Sequence, residues 1–283
     1  MESRLSLSGE RLSRDLAACF AGVGLLRPEF ILRDLGQTID AAPARRALGD
    51  YVESVCCANA GRPVWYRLTD LWSDETRALA GGRAEPEHNP MLGARGIRPG
   101  LADPALLRRE IGLIGEIAAR HADLHLLAPF LSDADEFVAL AGVAAALHWP
   151  NRLGTMIETP AAVLDAARFI DAGASNLMVG LNDLSCLLLG RERGPPEMKE
   201  HRAVGWCLDR VAAAARGRCE WGVAGALSAA TIVAAEAAGA DYVSVHYADA
   251  ALLAGIDPAL LPDAGHVGAI KARNRAARAA FSG

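Results

Sequence analysis

Paired cysteines, a surplus of basic residues and long apolar runs are missing from this 283-residue chain, and each absence excludes a class of protein. The formal net charge of -5 leaves no basic stripe for nucleic acid. No apolar run reaches the roughly 20 residues that cross a membrane, and the first residues are not a charged lead followed by an apolar core. We therefore expect a cytoplasmic protein that binds neither nucleic acid nor membrane.

The cysteines are scattered and form neither a Cys-x-x-Cys pair nor a Cys/His cluster in the linear sequence. This spacing predicts no zinc site and no disulfide framework. Cys56 and Cys57 are adjacent on a predicted helix, so one is expected to face the core and the other the surface. Among the six, only Cys219 is expected near a candidate site. The cysteines are Cys19, Cys56, Cys57, Cys186, Cys207 and Cys219.

Short apolar runs alternate with alanine-rich amphipathic stretches along the chain, which predicts an α/β fold. With 52% hydrophobic residues and a mean hydropathy of +0.16, the chain can bury one large core. We predict a single (β/α)8 TIM-type barrel over residues 1–283, with a C-terminal helix at about 267–281. The predicted strands are Val23–Arg27, Val64–Thr69, Leu92–Arg95, Leu124–Ala128, Gly154–Glu158, Leu177–Leu181, Trp221–Gly225 and Tyr242–His246.

A long segment at about 71–100 interrupts this alternation. It contains Gly81-Gly82 and several prolines between two predicted strands. Loops of this length in a compact domain usually cover or line a site, so we expect an active-site loop here.

Two carboxylates, Glu158 and Asp183, each end an apolar run and lie one strand-plus-helix repeat apart. The C-terminal ends of neighbouring barrel strands point into one mouth, so both side chains could bind a single divalent ion. Two carboxylates leave room for substrate oxygens and water, which suits Mg²⁺. Alternatively, Glu158 caps a helix that begins at Pro160, and Asp183 opens a turn.

Three arginines could supply positive charge to the same mouth. Arg67 lies inside an apolar strand, Arg95 in the long loop and Arg193 ten residues after Asp183. Guanidinium groups around a two-carboxylate metal site would suit a small, doubly anionic substrate. The alternative for Arg67 is an ion pair with Asp70 or with an acid on a neighbouring strand, and for Arg193 an exposed surface position.

Five motifs in the same order resemble the C-terminal phosphoenolpyruvate (PEP)-binding barrel of PEP synthase, pyruvate phosphate dikinase and enzyme I of the sugar phosphotransferase system. The resemblance extends from about Arg14 to about Ala251, and the Asn-Pro-Met-Leu-Gly-Ala-Arg-Gly string is most similar to the synthases. The motifs are Gly24-Leu25-Leu26-Arg27-Pro28-Glu29-Phe30, Tyr66-Arg67-Leu68-Thr69-Asp70, Glu87-His88-Asn89-Pro90-Met91-Leu92-Gly93-Ala94-Arg95-Gly96, Met156-Ile157-Glu158-Thr159-Pro160-Ala161-Ala162 and Gly180-Leu181-Asn182-Asp183-Leu184.

The resemblance implies a Mg²⁺-dependent enzyme that works on PEP, pyruvate or a related oxo acid through a metal-bound enolate. Glu158 and Asp183 match the family's Mg²⁺ ligands. Arg67, Arg95 and Arg193 match the arginines that bind the phosphate, with Arg67 and Arg95 also assigned to catalysis. Asn182 matches a substrate-binding residue. Barrels of this family commonly pair, so a homodimer is expected.

Two departures from the family suggest altered chemistry. The family's catalytic cysteine begins a Cys-Gly-x-x string in the strand before the last, and here Trp221 or Gly222 is expected in its place. Cys219, just upstream, is predicted not to replace it because strand alternation points it elsewhere. We also expect neither the phosphohistidine domain nor the ATP-grasp domain in this chain, so a separate phosphohistidine protein could exchange phosphate with it.

His246 ends the last predicted strand at the mouth and is our candidate for the missing acid or base. The alternative is a rim histidine bonded to a backbone carbonyl. For the whole protein, the leading prediction is a PEP-utilising enzyme with altered chemistry. The alternatives are a pyruvate-type aldolase or acyl-CoA lyase, and a PEP-binding protein without catalysis.

Overall fold

Eight parallel strands close into a barrel in the computed structural model, which describes residues 1–194 and 196–261. The strands follow one another around the barrel in chain order, and the last pairs with the first. The predicted (β/α)8 barrel is therefore confirmed, while the helix predicted at about 267–281 lies outside the described residues. The strands are β1 (Glu2–Leu7), β2 (Val23–Leu26), β3 (Val64–Arg67), β4 (Leu124–Ala128), β5 (Leu153–Ile157), β6 (Asn176–Gly180), β7 (Glu220–Ala224) and β8 (Tyr242–His246).

Helices surround the barrel and connect its strands. Two short 3-10 helices, Pro196–Glu200 and Pro258–Leu260, accompany them. The α-helices of the described residues are α1 (Arg14–Ala18), α2 (Glu29–Leu35), α3 (Ala42–Ala58), α4 (Ser73–Arg77), α5 (Arg98–Ala102), α6 (Pro104–Ala118), α7 (Ala134–Ala146), α8 (Pro160–Leu164), α9 (Ala166–Asp171), α10 (Leu181–Leu189), α11 (Arg202–Ala215), α12 (Ala229–Ala238) and α13 (Tyr247–Ala254).

Short polar side chains set where several helices begin. Asp133, Thr159 and Ser228 each accept a backbone hydrogen bond in the first turn of α7, α8 and α12. At their other ends, α10 and α12 stop at Gly190 and Gly239, which adopt the left-handed conformation. We call the end of the barrel where strands finish and these helices start the mouth, and the opposite end the base.

One predicted strand is wrong and one strand escaped prediction. Leu92–Arg95 forms turns instead of a strand: Leu92 donates its backbone N–H to Asn89, and Arg95 donates to Gly93. Pro90 lacks an N–H, and Leu92 is 50% exposed, so the segment has neither the donors nor the burial of a barrel strand. The missing strand is β1, whose alternating polar and apolar residues form no apolar run.

The inside of the barrel is filled mainly by apolar side chains, and its base is closed by packed and paired groups. Arg4 lies 4.1 Å over the Tyr242 ring and pairs with Glu220 at 2.5 Å. The Trp65 and His125 rings are 4.8 Å apart. A larger apolar core lies between strands and helices. The interior cluster is Leu25, Trp65, Leu127, Met156, Met178, Ala224 and Tyr242.

Among residues 1–194 and 196–261, no helix is long and apolar enough to cross a bilayer.

Candidate active site

A cavity of about 440 Å³ lies at the mouth, bordered by strand ends and the loops that follow them. The segment predicted as an active-site loop contributes Trp72, Glu75 and Arg95 to its walls. The structure therefore brings all the site residues expected from the sequence into one cavity. These residues are Arg67, Arg95, Glu158, Asn182, Asp183, Arg193 and His246.

Glu158 directly follows β5, and 3% of it is exposed. Its Oε2 atom accepts a hydrogen bond from the backbone N–H of Phe130 at 3.0 Å. Gly180, the last residue of β6, lies against it: a Cβ atom there would be 2.6 Å from Glu158 Cγ and Oε1. The missing side chain at position 180 thus provides the space that Glu158 occupies. Glu158 does not cap α8, because Thr159 does.

Asp183 lies in the first turn of α10 and is paired with two arginines. Arg193 Nη2 approaches Oδ1 at 2.5 Å and Oδ2 at 2.7 Å. Arg95 donates to the same two oxygens at 3.3 and 3.2 Å. The side chain of Arg193 is 45% exposed, so it is partly at the surface and also part of the site.

Arg95 is held on all sides. Its side chain is 1% exposed, its Nη2 atom lies 2.6 Å from Asp70 Oδ2, and its guanidinium lies 4.0 Å over the Phe130 ring. Burial lowers the pKa of Arg95, but the carboxylates of Asp70 and Asp183 more than offset this and raise it above its ordinary value. Arg95 is therefore a fixed positive charge.

Arg67 both pairs with acids and faces the cavity, so the two interpretations left open by the sequence are compatible. Its Nη2 atom lies 2.5 Å from Glu29 Oε1, and Nη1 lies 3.5 Å from Asp70 Oδ2. Asp70 thus lies between Arg67 and Arg95. Burial alone would raise the pKa of the Asp70 carboxyl, but these two guanidiniums lower it strongly.

The carboxylates of Glu158 and Asp183 repel each other. Burial, followed by the charge of Asp183, raises the pKa of Glu158 well above its usual range. A divalent cation between them would offset that repulsion, and carboxylate oxygens are the donors that Mg²⁺ prefers. The donor set therefore fits Mg²⁺, with the cavity left to supply substrate oxygens and water.

The end of β7 presents only small groups to the cavity. Ala224, Gly225 and Ala226 line it. Trp221 or Gly222 was expected at the cysteine's position, and this expectation is wrong because neither residue lines the cavity. Instead, the Trp221 indole N–H donates to the backbone carbonyl of Gly239.

The expectation that Cys219 lies near the site is also wrong. It precedes β7 and therefore lies at the base. Cys186 is nearer: it lies on α10 and is buried, and its Sγ atom donates to the backbone carbonyl of Asn182 at 3.0 Å. Cys186 does not line the cavity, so within the described residues no thiol faces it.

His246 and Asn182 flank this end of β7. His246 Nε2 lies 3.8 Å from Oε1 of Glu10, a carboxylate that is 3% exposed. Asn182 Oδ1 accepts a hydrogen bond from the backbone N–H of Ala226 at 3.1 Å. The imidazole thus has a buried acid beside it, and Asn182 links α10 to the small-residue end of β7.

Sequence reasoning missed several residues of the site. Arg27 and Glu29 line the cavity and lie in a motif that was recognised without roles being assigned. Asp70 was considered only as an ion-pair partner of Arg67 and not as a residue of the site, although it lines the cavity. Phe130 gave no signal in the sequence. It has a left-handed backbone (φ 57°), donates to Glu158 and stacks on Arg95, and such strain is often found at functional sites.

Comparison with curated proteins finds relatives that include a phosphoenolpyruvate synthase and a multiphosphoryl transfer protein. The chain is 35% identical over 185 residues to the phosphoenolpyruvate synthase of Pyrococcus furiosus, an overlap of 61% of this chain and 23% of that protein. It is 30% identical over 230 residues to a multiphosphoryl transfer protein of Xanthomonas campestris, covering 77% of this chain and 27% of that one. The chain thus spans about a quarter of the length of these relatives.

Solved structures share the fold at low identity. A HpcH/Hpal aldolase/citrate lyase family protein from Burkholderia cenocepacia is 17% identical, with a TM-score of 0.54 over 90% of this chain and 91% of that one. CitE from Mycobacterium tuberculosis is 18% identical, with a TM-score of 0.51 over 94% and 95%. The family described as PEP-utilising enzyme, PEP-binding domain, matches residues 8–250. The chain therefore belongs to the PEP-utilising enzyme family and carries its PEP-binding domain.

Proposed function

We propose that the chain is a Mg²⁺-dependent enzyme that binds PEP, pyruvate or a related oxo acid at the mouth and moves a proton at the substrate's C3 carbon. The observation that carries this proposal is the buried pair of Glu158 and Asp183, which share one cavity with arginines from three separate segments.

Glu158 and Asp183 would hold the metal. When bound, Mg²⁺ would withdraw charge from the substrate's carbonyl oxygen and lower the cost of losing a C3 proton. CitE from Mycobacterium tuberculosis was solved in complex with magnesium and acetate, which makes magnesium the first ion to test. The Phe130 N–H and the small Gly180 would keep Glu158 aimed at the cavity.

The arginines would bind the anionic end of the substrate. They differ in how freely their side chains can move towards it. Arg95 is committed to Asp70 and Asp183 and would act as a fixed charge. Arg193 is half-exposed and pairs only with Asp183 among the described acids. It could therefore turn from Asp183 to a phosphate or carboxylate when the metal neutralises that acid. Arg67 and Asn182 would complete the contacts.

His246 would give or take the proton at C3. Ala224 and its neighbours offer no acid, whereas His246 lies in the cavity wall with the Glu10 carboxylate 3.8 Å from Nε2. An imidazole in this position could accept a proton and return it.

A second candidate function is an aldolase or lyase that makes or breaks a carbon-carbon bond. The small residues at the end of β7 favour it, because they leave space beside the site for a longer oxo acid. Release of pyruvate from such an acid, dependent on Mg²⁺, would support this function. Binding of PEP without C3 exchange or bond cleavage would instead support a non-catalytic protein.

The proposed function also includes a partner protein. If PEP turnover involves phosphate transfer, a separate phosphohistidine protein would exchange the phosphate, and two of the relatives named above are a synthase and a multiphosphoryl transfer protein. The homodimer and the cytoplasmic location expected from the sequence stay predictions, and light scattering of the purified chain would test the first.

Proton NMR of the chain with Mg²⁺ and pyruvate in D₂O tests the proposal. We expect deuterium uptake at C3 that needs Mg²⁺ and falls by about three orders of magnitude in Glu158→Gln, because the metal contributes several kcal/mol to enolisation. Glu192→Gln is the matched control, since Glu192 is exposed beside Arg193.

Three outcomes would contradict separate parts of the proposal. Exchange that persists in Glu158→Gln would show that the metal assignment is wrong. Exchange that depends on Glu158 but is unchanged in His246→Asn would remove His246 from the proton transfer. If the wild-type chain binds pyruvate with Mg²⁺ but exchanges no proton, the enzymatic function itself fails.

A further inference from the structure

A cluster of side chains of the kinds that can ligate a metal lies on the outside of the barrel at its base. Glu53 and Cys57 are one turn apart near the end of α3, and His121 lies in the turn between α6 and β4. One donor atom from each of the three residues lies within 4.8 Å of the other two. None of the three lines the mouth cavity, so the cluster is separate from the active site.

The backbone that carries these side chains is well supported. Glu53 and Cys57 belong to the 17-residue helix α3. The turn that bears His121 is held by the Asn151 side-chain amide, which donates to the backbone carbonyls of Ala118, His121 and Leu124 at 3.3, 3.0 and 2.9 Å. Ligands on rigid elements lose little freedom when they bind an ion.

The Glu53 carboxylate is already oriented. His121 Nε2 lies 2.8 Å from Oε1, while Arg120 Nη2 donates to Oε2 at 2.7 Å. Arg120 is itself held by a hydrogen bond from Nη1 to the backbone carbonyl of Glu116 at 2.7 Å. Outer hydrogen bonds of this kind fix the ligands of metal sites, and they leave Oε1 as the oxygen for an ion.

We propose that Glu53 Oε1, Cys57 Sγ and His121 Nε2 bind a zinc ion, with water as the fourth ligand. Zinc bonds of about 2.0–2.3 Å place tetrahedral donors roughly 3.3–3.8 Å apart, so small side-chain rotations would bring the present donors into range. A thiolate with an imidazole favours Zn²⁺ over Mg²⁺. Binding would release the Cys57 thiol proton to solvent, and the His121 ring proton would move from Nε2 to Nδ1 so that Nε2 is free to bind the ion.

An ion has a route to this site, and its binding would tie two elements together. Cys57 is exposed, and Glu53 and Arg120 border an open groove of about 620 Å³ between α3 and α6. The ion would link α3 to the turn before β4. Because the unfolded chain does not hold the three donors together, Zn²⁺ would stabilise the folded state.

Calorimetric titration of the metal-free chain with Zn²⁺, under reducing conditions, tests the inference. We expect one saturable site at the base, weakened by more than about 100-fold in Cys57→Ser and in His121→Ala, since losing a ligand costs at least as much as losing an outer partner. Cys19→Ser removes another exposed thiol and should leave this affinity unchanged. Co²⁺ should give a thiolate charge-transfer band that disappears only in the Cys57 variant.

The mouth variant Glu158→Gln separates this site from the proposed magnesium site. Zinc binding that survives in Glu158→Gln and is not displaced by excess Mg²⁺ supports the base site. Equal zinc affinity in the wild type, Cys57→Ser and His121→Ala would overturn it, as would loss of the only zinc site in Glu158→Gln. Circular dichroism of each variant would show that the fold is retained, and a zinc-dependent rise in Tm should be absent from both base variants.

Discussion

The two ends of the barrel hold their charged residues in different ways. At the mouth, five arginines and six carboxylates line one cavity, and central members such as Arg95 and Asp183 are almost fully buried. In the cluster at the base, Glu53, Arg120 and His121 are partly exposed, and Glu53 pairs with each of the other two. Buried charges depend on their partners, whereas exposed pairs contribute little. The mouth network is therefore integral to folding, and the base cluster is free to adapt to an ion.

Removing one arginine from each end should give the largest difference between the two ends. Arg95→Gln leaves Asp70 and Asp183 without their shared buried cation, so we expect the free energy of unfolding to fall by about 3–5 kcal/mol. Arg120→Gln removes a 58%-exposed partner of Glu53 and should cost less than about 1 kcal/mol. Urea unfolding of both variants measures the difference. Similar losses at the two ends would contradict the distinction.

A histidine inside the base gives a pH-dependent test. Burial, then the nearby Arg152 charge, lowers the pKa of His125 to about 4. In the unfolded chain the histidine binds a proton near pH 6.5, whereas in the folded state it stays neutral down to about pH 4. The contribution of His125 to stability is therefore complete above about pH 6.5 and is lost as the pH falls towards 4, by on the order of 3 kcal/mol.

His125→Phe keeps a ring against Trp65 but cannot titrate. The free energy of unfolding of this variant should depend less on pH than that of the wild type between about pH 4 and 6.5. His88→Gln, which removes an exposed histidine, is the control and should keep the wild-type slope. An unchanged slope in His125→Phe would show that His125 is protonated at little cost.

The sequence predicted the mouth better than the base for a physical reason. Residues at the ends of neighbouring parallel strands converge whatever the details of packing, so Glu158 and Asp183 could be placed together from strand order alone. Glu53 and His121 are 68 residues apart on two helical connections. Their meeting depends on how α3 packs against α6, which no local pattern encodes. The cysteine spacing thus predicted no zinc site, although Cys57 lies in the candidate cluster.

Other errors arose where side chains, instead of strand order, decide the structure. β1 was missed because Arg4 and Ser6 interrupt its apolar residues, yet both are buried by partners on other strands. The turns around Arg95 were taken for a strand because Met91-Leu92 is apolar. Phe130 gave no signal because its role depends on a left-handed backbone conformation.

The smallest change that separates the two ends is one methyl group. In Gly180→Ala, the new Cβ atom would lie 2.6 Å from Glu158 Cγ, so Glu158 must move. We expect stability to fall by about 1–3 kcal/mol through overpacking, and C3 exchange to fall by about 100-fold, because a shift near 1 Å disturbs catalytic geometry. At the base groove, a Cβ atom at Gly112 in α6 meets nothing within 4 Å. Gly112→Ala should raise stability by about 0.5–1 kcal/mol and leave exchange unchanged, since alanine is the better helix former. Wild-type exchange in Gly180→Ala would mean that the position of Glu158 is not critical.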